Sequence, residues 1–230
     1  MKFTWLGHSG FRIEIGDQVL LLDPWLADNP MFPNESRADS IGGATAILLT
    51  HGHFDHTSDV LGLAKELEIP VVGIFDLMSA WASMHGIETV GFNKGGTISL
   101  GSLKVTMVNA VHSSSVSTDH GPMYAGAEAG YVIDDRSRRV YVSGDTDAHM
   151  DMELIQAFHA PDIGILACGG YFTMDMARAA YAAKRFFQFK TVIPCHYKTF
   201  PILEQSANDL IAGLPDVQVI EPEVLVPIEL

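Results

Sequence analysis

The sequence predicts an α/β protein of one domain, a β-sandwich flanked by helices. Three observations carry this. Apolar runs of strand length recur from Phe3 to Leu22, at Ala46–Leu49 and through the middle of the chain. Helices are expected only between later strands, two in each half. At 230 residues, with 47% hydrophobic and 18% charged side chains, the chain can bury a two-layer core but does not require a second domain.

The elements follow in order. Phe3–Leu6, Phe11–Ile15 and Val19–Leu22 read as strands punctuated by glycines 7, 10 and 16. Asp28 to Gly43, with two prolines, two asparagines and two serines, reads as a long loop. Ala46–Leu49 is a short strand that ends at Thr50-His51. Val60, Leu63, Ala64 and Leu67 then recur at helical spacing and stop before Pro70. Val71–Phe75 returns as a strand, and Asp76 is placed to cap a helix running to about Met84.

In the middle, Thr97–Leu100, Leu103–Val111, Gly130–Ile133 and Val140–Val142 are strands, the last two joined by the polar turn Asp134–Arg138. Ile163–Ala167 is a strand. Met176, Ala179, Ala180, Ala183 and Phe187 mark a helix, Thr191–Cys195 a strand, Ile202–Leu214 a helix and Val217–Ile220 a last strand.

Charge and composition exclude several roles. With 28 acidic and 14 basic side chains the formal net charge is −14, which repels nucleic-acid backbones and anionic lipid heads. A small-molecule substrate is expected, with no nucleic acid or membrane partner; a homo-oligomer is compatible. Two cysteines give no disulfide framework, and no leader-like or membrane-spanning apolar run is found, so a cytoplasmic location is expected.

The chemistry concentrates in His51-Gly52-His53-Phe54-Asp55-His56. Four side chains able to hold a metal lie within six residues, directly after a strand and before a helix. Imidazole and carboxylate together suit Zn²⁺, with Mn²⁺, Fe²⁺ or Ni²⁺ also accommodated, and no thiolate selects a softer ion. His112, Asp145 and His196 each follow an apolar strand, which would bring them to one rim of the sandwich. Seven such ligands suffice for two divalent ions with an open position for substrate.

In this order, with Ser143-Gly144-Asp145-Thr146 between the later histidines, the chain resembles the metallo-β-lactamase superfamily. Trp5-Leu6-Gly7-His8-Ser9, Leu22-Asp23-Pro24, His112-Ser113-Ser114-Ser115, the stretch from Gly169 to Asp175, and His196-Tyr197-Lys198-Thr199-Phe200-Pro201 are similar to a branch of metal-dependent hydrolases related to ascorbate-6-phosphate lactonase. The resemblance implies a four-layer αββα sandwich. It also implies that His51, His53 and His112 hold one metal, Asp55, His56 and His196 a second, and Asp145 bridges them. The antibiotic-hydrolysing members carry a cysteine where Asp145 falls, which counts against that activity here.

Two cations sharing a water would lower its pKa and give a hydroxide nucleophile for an ester, lactone or phosphoester. A nuclease or phosphodiesterase, or an iron-dependent redox enzyme, would use the same scaffold. Asp55 and Asp145 are expected in the catalytic machinery, and His8 is expected to contact substrate or protonate the leaving group. Asp23 either fixes a ligating histidine or is an ordinary turn residue. Ser113 to Gly126 reads as a loop over the site, and Lys198 as a charge for an anionic substrate or a surface lysine. Cys168 and Cys195 read as packing, and His85, His120, His149 and His159 as surface residues.

Overall fold

The computed structural model describes all 230 residues. Along the chain, β1 (Lys2–Gly7), β2 (Gly10–Ile15) and β3 (Gln18–Leu22) form an antiparallel meander. Helix α1 (Arg37–Ile41) leads to β4 (Ala46–Leu48), then α2 (Phe54–Thr57), α3 (Val60–Leu67), β5 (Val71–Ile74), α4 (Phe75–His85) and β6 (Thr89–Phe92). The second half runs β7 (Thr97–Leu100), β8 (Leu103–Asn109), β9 (Ser115–Thr118), β10 (Gly121–Tyr124), β11 (Ala129–Asp134) and β12 (Arg139–Val142). It ends with α5 (Asp151–His159), β13 (Ile163–Ala167), α6 (Met176–Phe186), β14 (Thr191–Cys195), α7 (Asn208–Gly213), β15 (Gln218–Val219) and β16 (Pro227–Glu229).

Two seven-stranded sheets result, ordered β16-β1-β2-β3-β4-β5-β6 and β15-β14-β13-β12-β11-β8-β7. Each joins antiparallel strands to parallel ones, β3 through β6 in the first and β12 through β15 in the second. Parallel neighbours need a crossover, and helices supply it. The sheets face each other across one core of 61 buried residues, with helices outside, the four-layer αββα sandwich. Tyr131 of β11 crosses that core to donate its hydroxyl to the Leu49 carbonyl at 2.6 Å. No helix is long and apolar enough to cross a membrane.

This topology positions the site. In open α/β sheets the chain turns outward at the carboxyl ends of parallel strands, where polar side chains need not enter the core. Asp23, His51, Asp145 and His196 all sit just past such ends, of β3, β4, β12 and β14. Gly144 makes its turn with φ +59°, and a Cβ there would lie 2.4 Å from the Ala129 carbonyl oxygen, so only glycine lets Asp145 point inward.

Several elements depart from the sequence reading. The expected loop from Asp28 to Gly43 contains a 3₁₀ turn, Asn34–Ser36, and α1, because no breaker follows Pro33 until Gly42. The helix expected over Ile202–Leu214 is confined to α7. Before it, Glu204 donates its N–H to Gly169 O and accepts from Lys198 N, so that backbone is committed across the site loop. Asp76 does not cap α4; the cap position is Ile74, and Asp76 lies in the first turn, where its charge suits the helix dipole. The loop over the site is the hairpin β9–β10, a small separate sheet. Helix α5 escaped the periodicity reading because it buries only Met152 and Ile155.

Candidate metal centre

His51 and His53 leave the end of β4 and flank the start of α2, which carries Asp55 and His56 in one turn. His112 follows β8, Asp145 follows β12 and His196 follows β14. All seven meet. The carboxylate oxygen Oδ2 of Asp145 is central, 3.0 Å from His196 Nε2, 3.4 Å from His56 Nε2, 3.8 Å from His112 Nε2 and 4.0 Å from His51 Nε2. The ring nitrogens of His51, His53 and His112 converge on one side, donor atoms of His8, Asp55, His56 and His196 on the other, and His51, His56 and Asp145 meet between them.

Hydrogen bonds decide which ring nitrogen faces inward. Asp23 accepts at Oδ1 from Thr50 N (2.8 Å) and at Oδ2 from Thr50 Oγ1 (2.6 Å) and His56 Nδ1 (2.8 Å). Because the Thr50 hydroxyl proton goes to Asp23, its oxygen must accept from His51 Nδ1, 3.0 Å away. Both rings therefore carry their proton on Nδ1 and present Nε2 to the cluster. This is the arrangement of a carboxylate that orients metal-binding histidines. His56 Nε2 and Asp145 Oδ1 are buried with no hydrogen-bond partner. Buried polar atoms are ordinarily satisfied. A donor set of imidazoles and carboxylates clustered within 4.8 Å, with the His56 Nε2 among them unpartnered, fits divalent cations.

Electrostatics divide the cluster. Burial, then neighbouring imidazoles, pushes His51, His53 and His112 below the ordinary histidine range, so these rings are neutral and ready to bind. Burial also opposes charge on His56 and His196, but Asp145 outweighs it, raising His56 strongly and His196 to about 9. Asp145 and Asp55 resist burial through the same histidines and stay ionised. Without metal, protons on one side of the site do the work of a cation.

His8 belongs to this construction but not where expected. It is 0% exposed and does not line the cleft. Asp55 Oδ2 can only accept, so His8 Nε2 donates to it at 2.8 Å, and Nδ1 accepts from Thr199 Oγ1 at 2.8 Å. Burial, then His196, lowers its pKa to about 4. His8 therefore sits behind Asp55 and not on the cleft wall where a substrate contact was expected. Its carbonyl also accepts from His196 N at 2.9 Å and from Trp5 Nε1 at 2.8 Å, tying the two sheets together. His8, Asp23 and His196 all have positive φ (51°, 40° and 59°), a costly backbone for these residue types that the surrounding bonds hold in place.

Lys198 turns away from the cleft: its Nζ lies 3.3 Å from Glu221 Oε1 and over the Tyr197 ring. His149 is half-buried with both ring nitrogens unpartnered, not a surface group, and His159 is half-buried as well. Cys168 and Cys195 are buried free thiols. Sequence reasoning missed Thr50 and Thr199, whose roles depend on partners 27 and 191 residues away. Only the adjacency of Thr50 to His51 hinted at the former.

Beside this cluster lies a cleft of about 560 Å³, walled by Phe54, Phe172, Phe200 and Ile202 and floored by His53, Asp55, His112, Asp145 and His196. Trp25 packs behind it, against Phe54 and Phe200, with ring centroids 5.7 and 6.0 Å apart.

Comparison with known proteins places this geometry. A family model described as the β-lactamase superfamily domain matches residues 18–197. A "UPF0173 metal-dependent hydrolase" of Dinoroseobacter shibae is 66% identical over 230 residues, the whole of both chains, and one of Paracoccus denitrificans is 64% identical over the same span. Among solved structures, Igni18, a metallo hydrolase from the archaeon Ignicoccus hospitalis, superposes with TM-score 0.84 at 27% identity, covering 100% of this chain and 98% of that one. The fold is also shared with CmlA, a diiron β-hydroxylase from Streptomyces venezuelae, at TM-score 0.74 and 14% identity, over 100% of this chain and 54% of that one.

Proposed function

The chain belongs to the β-lactamase superfamily, as a metal-dependent hydrolase like the relatives it matches end to end, and we propose that it uses two divalent cations, zinc first among them, to hydrolyse a small-molecule ester, lactone or phosphoester. The observation that carries this reading is the convergence of six donors around the Asp145 carboxylate, in two groups. His51, His53 and His112 would hold one ion, Asp55, His56 and His196 the other, with Asp145 between them.

Such a pair of ions polarises the oxygen of the scissile group and makes water nucleophilic at neutral pH. The chain's own residues prepare that step. Asp23 and Thr50 set the tautomers of one histidine from each group. His8 and Thr199 keep Asp55 from rotating. Phe54, Phe172 and Phe200 shed water from the cleft and seat the substrate beside the donors. No lysine or arginine lines the cleft, which supports a small molecule over a nucleic acid.

The test is elemental analysis combined with turnover of metal-replete protein on ester, lactone and phosphodiester panels. Two ions per chain and hydrolysis lost on chelation are expected. No hydrolysis of any panel member with both metals retained would overturn the reading.

A further inference from the structure

The geometry points to an apolar groove, sharing Phe54 with the metal cleft, that seats an uncharged alkyl arm of the substrate; resting on the hydrolase reading above, this makes the molecule cleaved a neutral ester or lactone rather than a phosphorylated sugar. The groove encloses about 550 Å³ between α4, the turn after α2 and the β9–β10 hairpin. Leu77 and Trp81, both buried, form its inner wall with half-buried Ala80; Val116, Met123 and Tyr124 of the hairpin close the other side. Phe54 lines both cavities and is 56% exposed, so one side chain separates the reacting centre from the groove.

Charge narrows the ligand. Neither cavity is lined by a lysine or arginine. The charged side chains on the groove are Asp76 and Asp119, and its one imidazole is His85. Lys198, the basic residue nearest the cleft in sequence, is held by Glu221. A phosphate or carboxylate at the far end of a substrate would face two carboxylates with no cation to offset them, in a chain of net charge −14. An alkyl arm would instead bury its surface on Leu77, Trp81 and Met123. Exposed apolar side chains such as Met84 (66%) and Met123 (50%) also mark this rim as a place where an apolar ligand removes surface from water.

The test uses the metal-loaded protein in two arms. In the first, uncharged alkyl amides of two to eight carbons are titrated by calorimetry. Transfer of each methylene from water is worth up to about fourfold in affinity, so Kd should fall at least tenfold across the series. Ala80→Trp, which fills the groove, and Met84→Glu, a change at an exposed position, should each erase most of that gain. A Kd indifferent to chain length, or a gain untouched by both variants, overturns the groove whatever the protein hydrolyses. In the second arm, kcat/KM is compared for an octanoyl ester and the same ester with its chain ending in carboxylate or phosphate. The neutral ester should be favoured at least tenfold; preference for the anionic arm overturns the claim of an uncharged substrate. Absence of all ester and lactone hydrolysis, with metals retained, would instead sink the hydrolase reading and leave the amide titration to decide the groove.

Discussion

Asp23 holds His56 directly, Oδ2 to Nδ1 at 2.8 Å, although 33 residues separate them. The same carboxylate reaches His51 through Thr50, so one residue behind the cluster orients a proposed ligand of each ion.

Replacing Asp23 by asparagine should therefore weaken both metal positions together. The amide keeps one acceptor oxygen but cannot accept from both Thr50 Oγ1 and His56 Nδ1 with a full charge. Loss of such an orienting partner costs about 10–100-fold in metal affinity or activity. Competition titration against a chelator checks it, and unchanged affinity at both positions would show that the tautomers are set otherwise.

His8→Gln should leave two metals bound and lower kcat with little change in KM, since His8 touches Asp55 and not the cleft. A loss of about tenfold is expected for a displaced ligand. The pH–rate profile should keep its shape. If His8 were the proton donor, the limb reporting that acid would vanish and the loss would reach about 10²–10⁴-fold.

Metal occupancy should be two per chain. His196→Ala removes a donor from only one group, so that variant should retain one ion tightly and lose most of the second. Elemental analysis giving one ion for the parent, or none for the variant, contradicts the division of ligands.

The two positions should also respond differently to pH. In metal-free protein His196 titrates near 9, raised by Asp145 against burial, so at pH 7 a metal entering that group must displace a proton. Its affinity should rise with pH through about 7 to 9, roughly tenfold per unit for each proton that His196 and His56 release, and fall as pH drops. The group of His51, His53 and His112, all shifted down, should be insensitive above about pH 6.5, the unperturbed histidine value. Calorimetry in buffers of differing ionisation enthalpy reads the protons; equal release at both positions would refute the asymmetry.

Much of the architecture was legible because the strands are short, apolar and cleanly punctuated. β1 through β5, β7, β8 and β11 through β15 fall where the apolar runs and glycines placed them, within a residue or two. Those that were missed lack a local signal. β16 is a strand only because Phe3 and its neighbours offer it an edge to pair with. The hairpin β9–β10 has no apolar stripe of its own, since most of its side chains face the groove or solvent.

By itself the sequence determined the layered fold and named the His and Asp residues that cluster, because residues at strand ends and the spacing of apolar runs are properties of neighbouring residues. Tertiary structure alone decided what each polar residue does. His8 lies off the cleft because β1 delivers it behind Asp55, beside Thr199, where burial keeps it neutral. Lys198 stays out of the cleft because Glu221, brought 3.3 Å from its Nζ by the fold, holds its charge. Asp23 gained its role because parallel β3 and β4 end side by side, bringing its carboxylate under Thr50. A hydrogen bond needs its partner within about 3 Å, and for residues far apart in the chain only the folded sheets set that distance.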